Sequence, residues 1–515
     1  MKKTAAVLAA LLLCILAAAC RSTDDVPGAN AGSSDPAPEA GENRPAGAEN
    51  WPLIRMEVCS YSGSETLEPE VENVLNRYLA SIDAGVQADL VPIAITDRPT
   101  SLALMLSGTE NRIDLYNWRW YSTVRGLVES NQCISLEKYR SIYPELWELF
   151  PEAVYDTCKV NGEQYSLPSA DSFGTFQVYA LRKDIADELG ISSLDRKKIS
   201  MDDLERYLLS AEELHPELCY QGSMWLEPLQ NIDTFGDSHA LGVLPDRGTS
   251  GTRVINYYGS GAFEEYCRMC HDFAEKGLFR DDPLNNSLAG APMVNEGLCG
   301  GFLFEAYSCD YANSLMEAQC PEIPMVIFQI TSPGCDNACV YGGWQISALC
   351  RNPDAAMKLL YLSYTDETVA RLLAMGIEGR TYEVDENGCA WYPEGTDASN
   401  CGWNMSAPWF YPNECLCLPF ETENAAYYTG MKDFWQNPEV QYSRALGFVF
   451  DTKPVFDEYA ACSAIIDEFR PALMCGQVDV DAYLLRMNEE LQNNGIDRII
   501  SEMQKQLDSF LASKS

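Results

Sequence analysis

The sequence predicts an α/β chain folded as two lobes, and three observations carry that prediction. Strand-like and helix-like patterns alternate from residue 54 to residue 116. A hairpin signal at Asn161-Gly162 then leads into Pro168 and an irregular run to Gly174, after which a new apolar strand begins. A second passage, Tyr341-Gly342-Gly343-Trp344-Gln345-Ile346-Ser347, precedes a helix opening at Asn352-Pro353. Strands alternating with helices form a mostly parallel sheet. A proline that cannot donate to a ladder marks where the chain leaves one sheet for another. Both passages are therefore expected to be crossovers between lobes.

The N-terminus sets the compartment. Met1-Lys2-Lys3 is a charged start, and residues 4–19 form an apolar stretch of export-signal length, short for a membrane span. It ends in Leu16-Ala17-Ala18-Ala19-Cys20, which resembles a bacterial lipobox with Cys20 as the lipidated first residue of the mature protein. Ala17 stands where such boxes more often carry leucine, so cleavage without lipidation is the alternative. Residues 21–50 contain almost no large apolar side chain and are expected to be a flexible tether.

Composition bounds the rest. The chain has 515 residues, 46% of them hydrophobic and 22% charged, which fits a globular body of two domains. Its net charge of −40 argues against nucleic acid and against docking on anionic lipid by charge. Of 20 cysteines, those other than Cys14 and Cys20 read equally as disulfide partners or as free thiols.

Taken in order, residues 54–60 alternate as a first strand. Residues 68–84 carry Val71, Val74, Leu75, Tyr78, Leu79 and Ile82 at helical spacing. A strand at 88–95, a short helix at 100–107 and a strand at 113–116 complete a βαβ unit, whose ligands bind beyond the strand ends. Beyond the third strand stands Asn117-Trp118-Arg119-Trp120-Tyr121, aromatic faces suited to stacking on a sugar ring. After the first crossover come a strand at 176–181 and helices from 183, at 201–214 and at 263–276. Strands at 297–307 and 323–329, helices at 352 onward and 366–375, and a hairpin at Asn387-Gly388 follow. Helices at 455–469, 480–491 and 496–511 close the chain.

Rival chemistries find little support. Cys267-Arg268-Met269-Cys270-His271 matches the c-type haem attachment pattern but sits inside an amphipathic helix with no second ligand arranged near it. The scattered cysteines and three histidines form no zinc-type set. A glycoside hydrolase would need two carboxylates across the scissile bond, and Asp171 with Glu305 is a candidate pair, yet no hydrolase motif is present.

The lipobox, the tether and the crossovers SLPSADSFGTF and YGGWQIS together resemble the extracellular solute-binding lipoproteins of bacterial ABC importers. Residues 352–388 are similar to a block of the large Gram-positive family-1 members. The runs 446–462 and 476–511 resemble the C-terminal domain of unknown function appended to them. The resemblance implies a two-lobed periplasmic-binding-protein-like type II fold with hinge crossovers and a helical C-terminus. Lobe 1 would comprise residues 51–168 plus about 343–405, and lobe 2 residues 169–342 plus about 406–515. It implies a monomer that performs no chemistry, needs no cofactor or metal, and hands a captured solute to permease subunits. Carried over by position, Trp118, Asp171, Glu305, Tyr307 and Trp344 would line the cleft, joined by Trp120 and Tyr121 from the aromatic run. Trp225, Arg380 and Trp403 are added from composition. The abundance of tryptophan and tyrosine, 10 and 27, favours an oligosaccharide ligand, with a peptide as the alternative.

Overall fold

The computed structural model describes residues 47–514 apart from 61–65, 109–110, 172, 222–230, 280–287, 338, 340–341, 404, 406 and 421–425. Cys20 and Trp225 lie outside the described residues. The fold is α/β, built around one five-stranded and one four-stranded sheet, with four smaller sheets of two or three strands.

The first sheet runs in the order Gln87–Ala94, Leu53–Ser60, Leu115–Asn117, Gly343–Ile346, Leu167–Pro168. Its first three strands are parallel, with Met56 opposite Leu90 and Leu115. The other two strands join antiparallel, Trp344 lying opposite both Asn117 and Leu167. Parallel strands covered on both faces read as near-continuous apolar runs, and residues 53–60 are buried at nearly every position. The helix Glu68–Ser81 covers one face with Val71, Leu75 and Leu79, the stripe its sequence spacing predicts.

The second sheet is ordered Gly301–Ala306, Phe176–Arg182, Met325–Gln329, Lys197–Lys198. Its three long strands pair antiparallel, with Ala180 opposite both Phe302 and Ile327. Only Gly301–Ala306 of the predicted 297–307 pairs as a regular strand, because Ala291–Asn295 forms a short helix and its turn fills the preceding residues. Among the described residues the longest helices not anticipated are Cys309–Gln319 and Ala426–Gln436. The first carries a legible start signal, since Ser308 Oγ accepts from the Tyr311 N–H at 3.0 Å.

The two crossovers run beside each other. Thr175 N–H donates to Gly334 O at 3.3 Å, and Ser169 N–H to Gly342 O at 3.3 Å. Gly174 sits at φ +135, where an added Cβ would lie 2.3 Å from Gly334 O, so only glycine permits this approach. Residues 407–420 also lie against the first sheet, as Ala170 N–H donates to Pro412 O at 2.9 Å.

The C-terminal helices Phe456–Met474, Val480–Asn493 and Ile496–Lys514 pack on one another, and the first two also pack against the helix Gly261–Glu275. Cys267 and Cys270 are fully buried on that helix, facing this apolar layer, and His271 Nδ1 lies 2.8 Å from Gly476 O. The cysteine pair of the haem-like motif is thus core packing.

Candidate functional site

A buried ion pair fixes the ground on which the aromatic run stands. Glu57, on strand Leu53–Ser60 of the first sheet, and Arg98, at the start of a short helix, are both inaccessible to solvent and paired. Arg98 Nη2 donates to Glu57 Oε2 at 3.1 Å, and its guanidinium also donates to the carbonyls of Asn117 and Arg119. Glu57 Oε2 accepts from Asn117 N–H at 3.0 Å. Asn117 extends the network: its Oδ1 accepts from the N–H of Arg119 (2.9 Å) and of Gly343 (3.2 Å). Its Nδ2 donates to Phe410 O at 2.8 Å and to Ser169 Oγ at 3.2 Å. A charge pair so desolvated holds only when its other polar groups are also satisfied, and here the carbonyls it satisfies are those of the turn after the third strand.

That turn presents Trp120. Its backbone is left-handed at φ +56 and its side chain is 54% exposed. A tryptophan there costs about 1–2 kcal/mol relative to an ordinary backbone, so the surrounding network imposes the conformation. Trp409 meets it edge to face, ring centroids 5.5 Å apart at 75°. The Arg119 guanidinium sits 4.2 Å from the Trp409 centroid and 5.1 Å from that of Trp120. Arg119 Nη1 reaches Asp171 Oδ2 at 3.4 Å, and Trp435 Nε1 donates to Asp171 O at 3.0 Å. One cluster therefore gathers Arg119 and Trp120 from the first sheet, Asp171 from the first crossover, and Trp409 and Trp435 from residues far along the chain.

The second sheet contributes a softer group beside it. Strand Gly301–Ala306 ends next to Phe176, where the first crossover enters the sheet. Glu305 is exposed and accepts from Gln177 Nε2 at 2.9 Å. Tyr307 stacks on Tyr311 with centroids 5.1 Å apart, and Tyr427 lies against both rings at 5.6 Å. Burial pushes the Tyr307 phenol well above its ordinary value, and Tyr311, Asp171 and Glu414 push it further, so the aromatic group lies within the field of Asp171.

The sequence-derived residues divide. Trp120, Asp171, Glu305 and Tyr307 fall in these two groups. Trp118 and Tyr121 stand one layer behind: Trp118 Nε1 donates to Ser166 Oγ at 3.1 Å and the Tyr121 hydroxyl to Gln132 Oε1 at 3.2 Å. Trp344 is a correction. It occupies an inner strand, is 0% exposed, and donates its indole N–H to Phe410 O at 3.1 Å, so it is core. Trp403 is likewise buried at 2%, packed against Gly376. Arg380 is exposed but stands apart, its partner being Glu70 at 3.4 Å. Sequence reasoning missed Trp409, on a short 3-10 turn without periodicity, and Trp435, on the helix Ala426–Gln436, whose apolar spacing it does not read as a helix. It noted Arg119 only as a neighbour of the aromatics.

Comparison with known proteins agrees with this architecture. Residues 444–512 match the domain of unknown function DUF3502. A carbohydrate ABC transporter substrate-binding protein of Streptococcus pneumoniae is 26% identical over 490 residues, covering 86% of this chain and 95% of that protein. The crystal structure of the N-glycan transport solute binding protein NgtS from Streptococcus pneumoniae matches with a TM-score of 0.67 at 22% identity, covering 90% of this chain and 100% of that one. The same protein in complex with Man5GlcNAc matches with a TM-score of 0.54 at 22% identity, covering 90% and 99%. The chain has the two-lobed fold of the solute-binding proteins and carries a DUF3502 domain at residues 444–512.

Proposed function

We propose that this protein captures an oligosaccharide between its lobes and delivers it, unaltered, to the permease subunits of an ABC importer. The observation that carries the proposal is Trp120: a large aromatic held exposed in a left-handed backbone, beside Trp409 and over an arginine–carboxylate pair, at the carboxyl edge of an α/β sheet. Sheets of this kind take ligands at that edge, and an indole face with polar groups beside it suits a sugar ring. The sugar-transport names of the relatives support the same ligand class. In this reading Trp120, Trp409 and Asp171 act with Glu305 and Tyr307, while Trp118 and Tyr121 support them from behind. The crossovers are the hinge, and closure couples contacts on both lobes to a change of shape. Cys20 carries the lipid, residues 21–50 are the tether, and a monomeric body stands on the extracellular face of the cytoplasmic membrane.

The test is a thermal-shift series on the body from residue 47 onward, with Man5GlcNAc, mannose, N-acetylglucosamine and short peptides, followed by mass analysis of the recovered ligand. A ligand at about a hundredfold over its Kd adds about 2.7 kcal/mol of stability. We expect stabilisation by the oligosaccharide, recovered intact. Stabilisation by peptides alone would discard the carbohydrate, and a cleaved oligosaccharide would overturn the transport reading.

A further inference from the structure

We infer that the cleft selects uncharged glycans and rejects those bearing carboxylate, sulfate or phosphate groups. The inference rests on the carbohydrate reading above and concerns which carbohydrates are admitted. Its basis is the charge around the two aromatic groups. The cation nearest Trp120 is already engaged: Arg119 is 7% exposed, lies over Trp409, and reaches Asp171 at 3.4 Å. It therefore offers little to an incoming anion. Glu305, by contrast, is exposed, and its partner is the neutral Gln177 amide. Glu414 is buried at 1% exposure, and its charge acts on Tyr307, Cys415 and Cys417. Against these stands Lys432, exposed on the helix Ala426–Gln436 and followed directly by the exposed Asp433. Among the described residues around the cluster, four carboxylates (Asp171, Glu305, Glu414 and Asp433) thus stand with three cations (Arg119, Lys432 and Arg371, whose charge acts on Cys417 beside Glu414), and two of those cations are already paired, Arg119 with Asp171 and Arg371 with Glu367.

The consequences for a ligand are opposite for its two kinds of group. Sugar hydroxyls are donors as well as acceptors, and a carboxylate such as Glu305 accepts from them in a charge-assisted bond. An acidic substituent would shed hydration only to meet like charge, at a cost that rises as the lobes exclude water. Outside the cleft, the net charge of −40 slows the approach of any polyanion.

The experiment compares Man5GlcNAc with the same oligosaccharide oxidised at its terminal C6 hydroxyls to carboxylates, by isothermal titration calorimetry at about 20 mM and about 500 mM salt. We expect the oxidised form to bind about tenfold more weakly or worse at low salt. That gap should narrow at high salt and in Glu305→Gln. Equal or tighter binding of the oxidised form, or a gap unmoved by both salt and Glu305→Gln, would overturn charge selection while leaving the oligosaccharide reading intact. Failure of both forms to bind would overturn both readings.

Discussion

The two sides of the candidate cleft are built differently. On the first sheet, a desolvated Glu57–Arg98 pair and the four hydrogen bonds of the Asn117 side chain lock the turn that carries Trp120. On the second, Tyr307, Tyr311 and Tyr427 meet through ring contacts and a side-chain hydrogen bond between Tyr307 and Tyr427, and Glu305 accepts from the Gln177 amide. The contrast teaches that one wall is preorganised and the other adjustable. A preorganised wall saves the cost of ordering side chains when the ligand arrives. Under the proposed function, an adjustable wall would let the site accommodate oligosaccharides of different length.

The largest effect that would break this contrast is Arg98→Ala. Removing one partner of a buried pair costs about 3–5 kcal/mol, and equilibrium urea unfolding should register it. Replacing both partners, as Glu57→Leu with Arg98→Leu, should recover part of that loss. Equal stability of the single variant and the wild type would show that the pair does not lock the turn.

A smaller effect separates stability from binding. Trp120→Ala should weaken oligosaccharide binding by about thirtyfold, as expected when a central aromatic anchor worth about 2 kcal/mol is truncated. Trp120→Gly should bind as poorly, yet be more stable than the alanine variant by about 1 kcal/mol, because glycine adopts positive φ freely. Calorimetry for binding and thermal melts for stability distinguish the two, and identical melting of both variants would mean the backbone at residue 120 is unstrained.

The smallest effect belongs to the adjustable side. Tyr307→Phe keeps the ring on Tyr311 and removes one hydroxyl, so its stability should fall by about 0.5–1.5 kcal/mol. Its Kd should change by less than about tenfold. A loss as large as that of Trp120→Ala would make both walls equally rigid.

Much of the fold is written locally in the chain, and the site is only partly so. The helix Met201–Leu214 matches its predicted ends because Ser200 caps it and its apolar spacing is regular. The hairpin at Asn161-Gly162 is legible because both residues take positive φ there. The positions of Asp171 and Trp120 in the chain path were legible because each follows a recognisable strand or crossover. Trp344 was misread because a glycine-flanked crossover and an inner strand look alike until the pairing with Asn117 and Leu167 is known. Trp409 was illegible for a different reason. It reaches Trp120 across 289 residues through a short 3-10 turn, Pro408–Phe410, with no periodic pattern to place it. Glu57 and Arg98 hide the same way, a lone acid in an apolar strand and a lone base before a proline, joined only in space.

The geometry of Trp120 and Trp409 has an optical consequence. Two indoles 5.5 Å apart at 75° are close and oblique enough for their strong far-ultraviolet transitions to couple, which should give a paired circular dichroism band. A sugar ring settling on Trp120 would shift the angle or the environment of one partner and alter that band. The two indoles are therefore a built-in chromophore pair for following the proposed binding in real time without a dye, a label or a second protein.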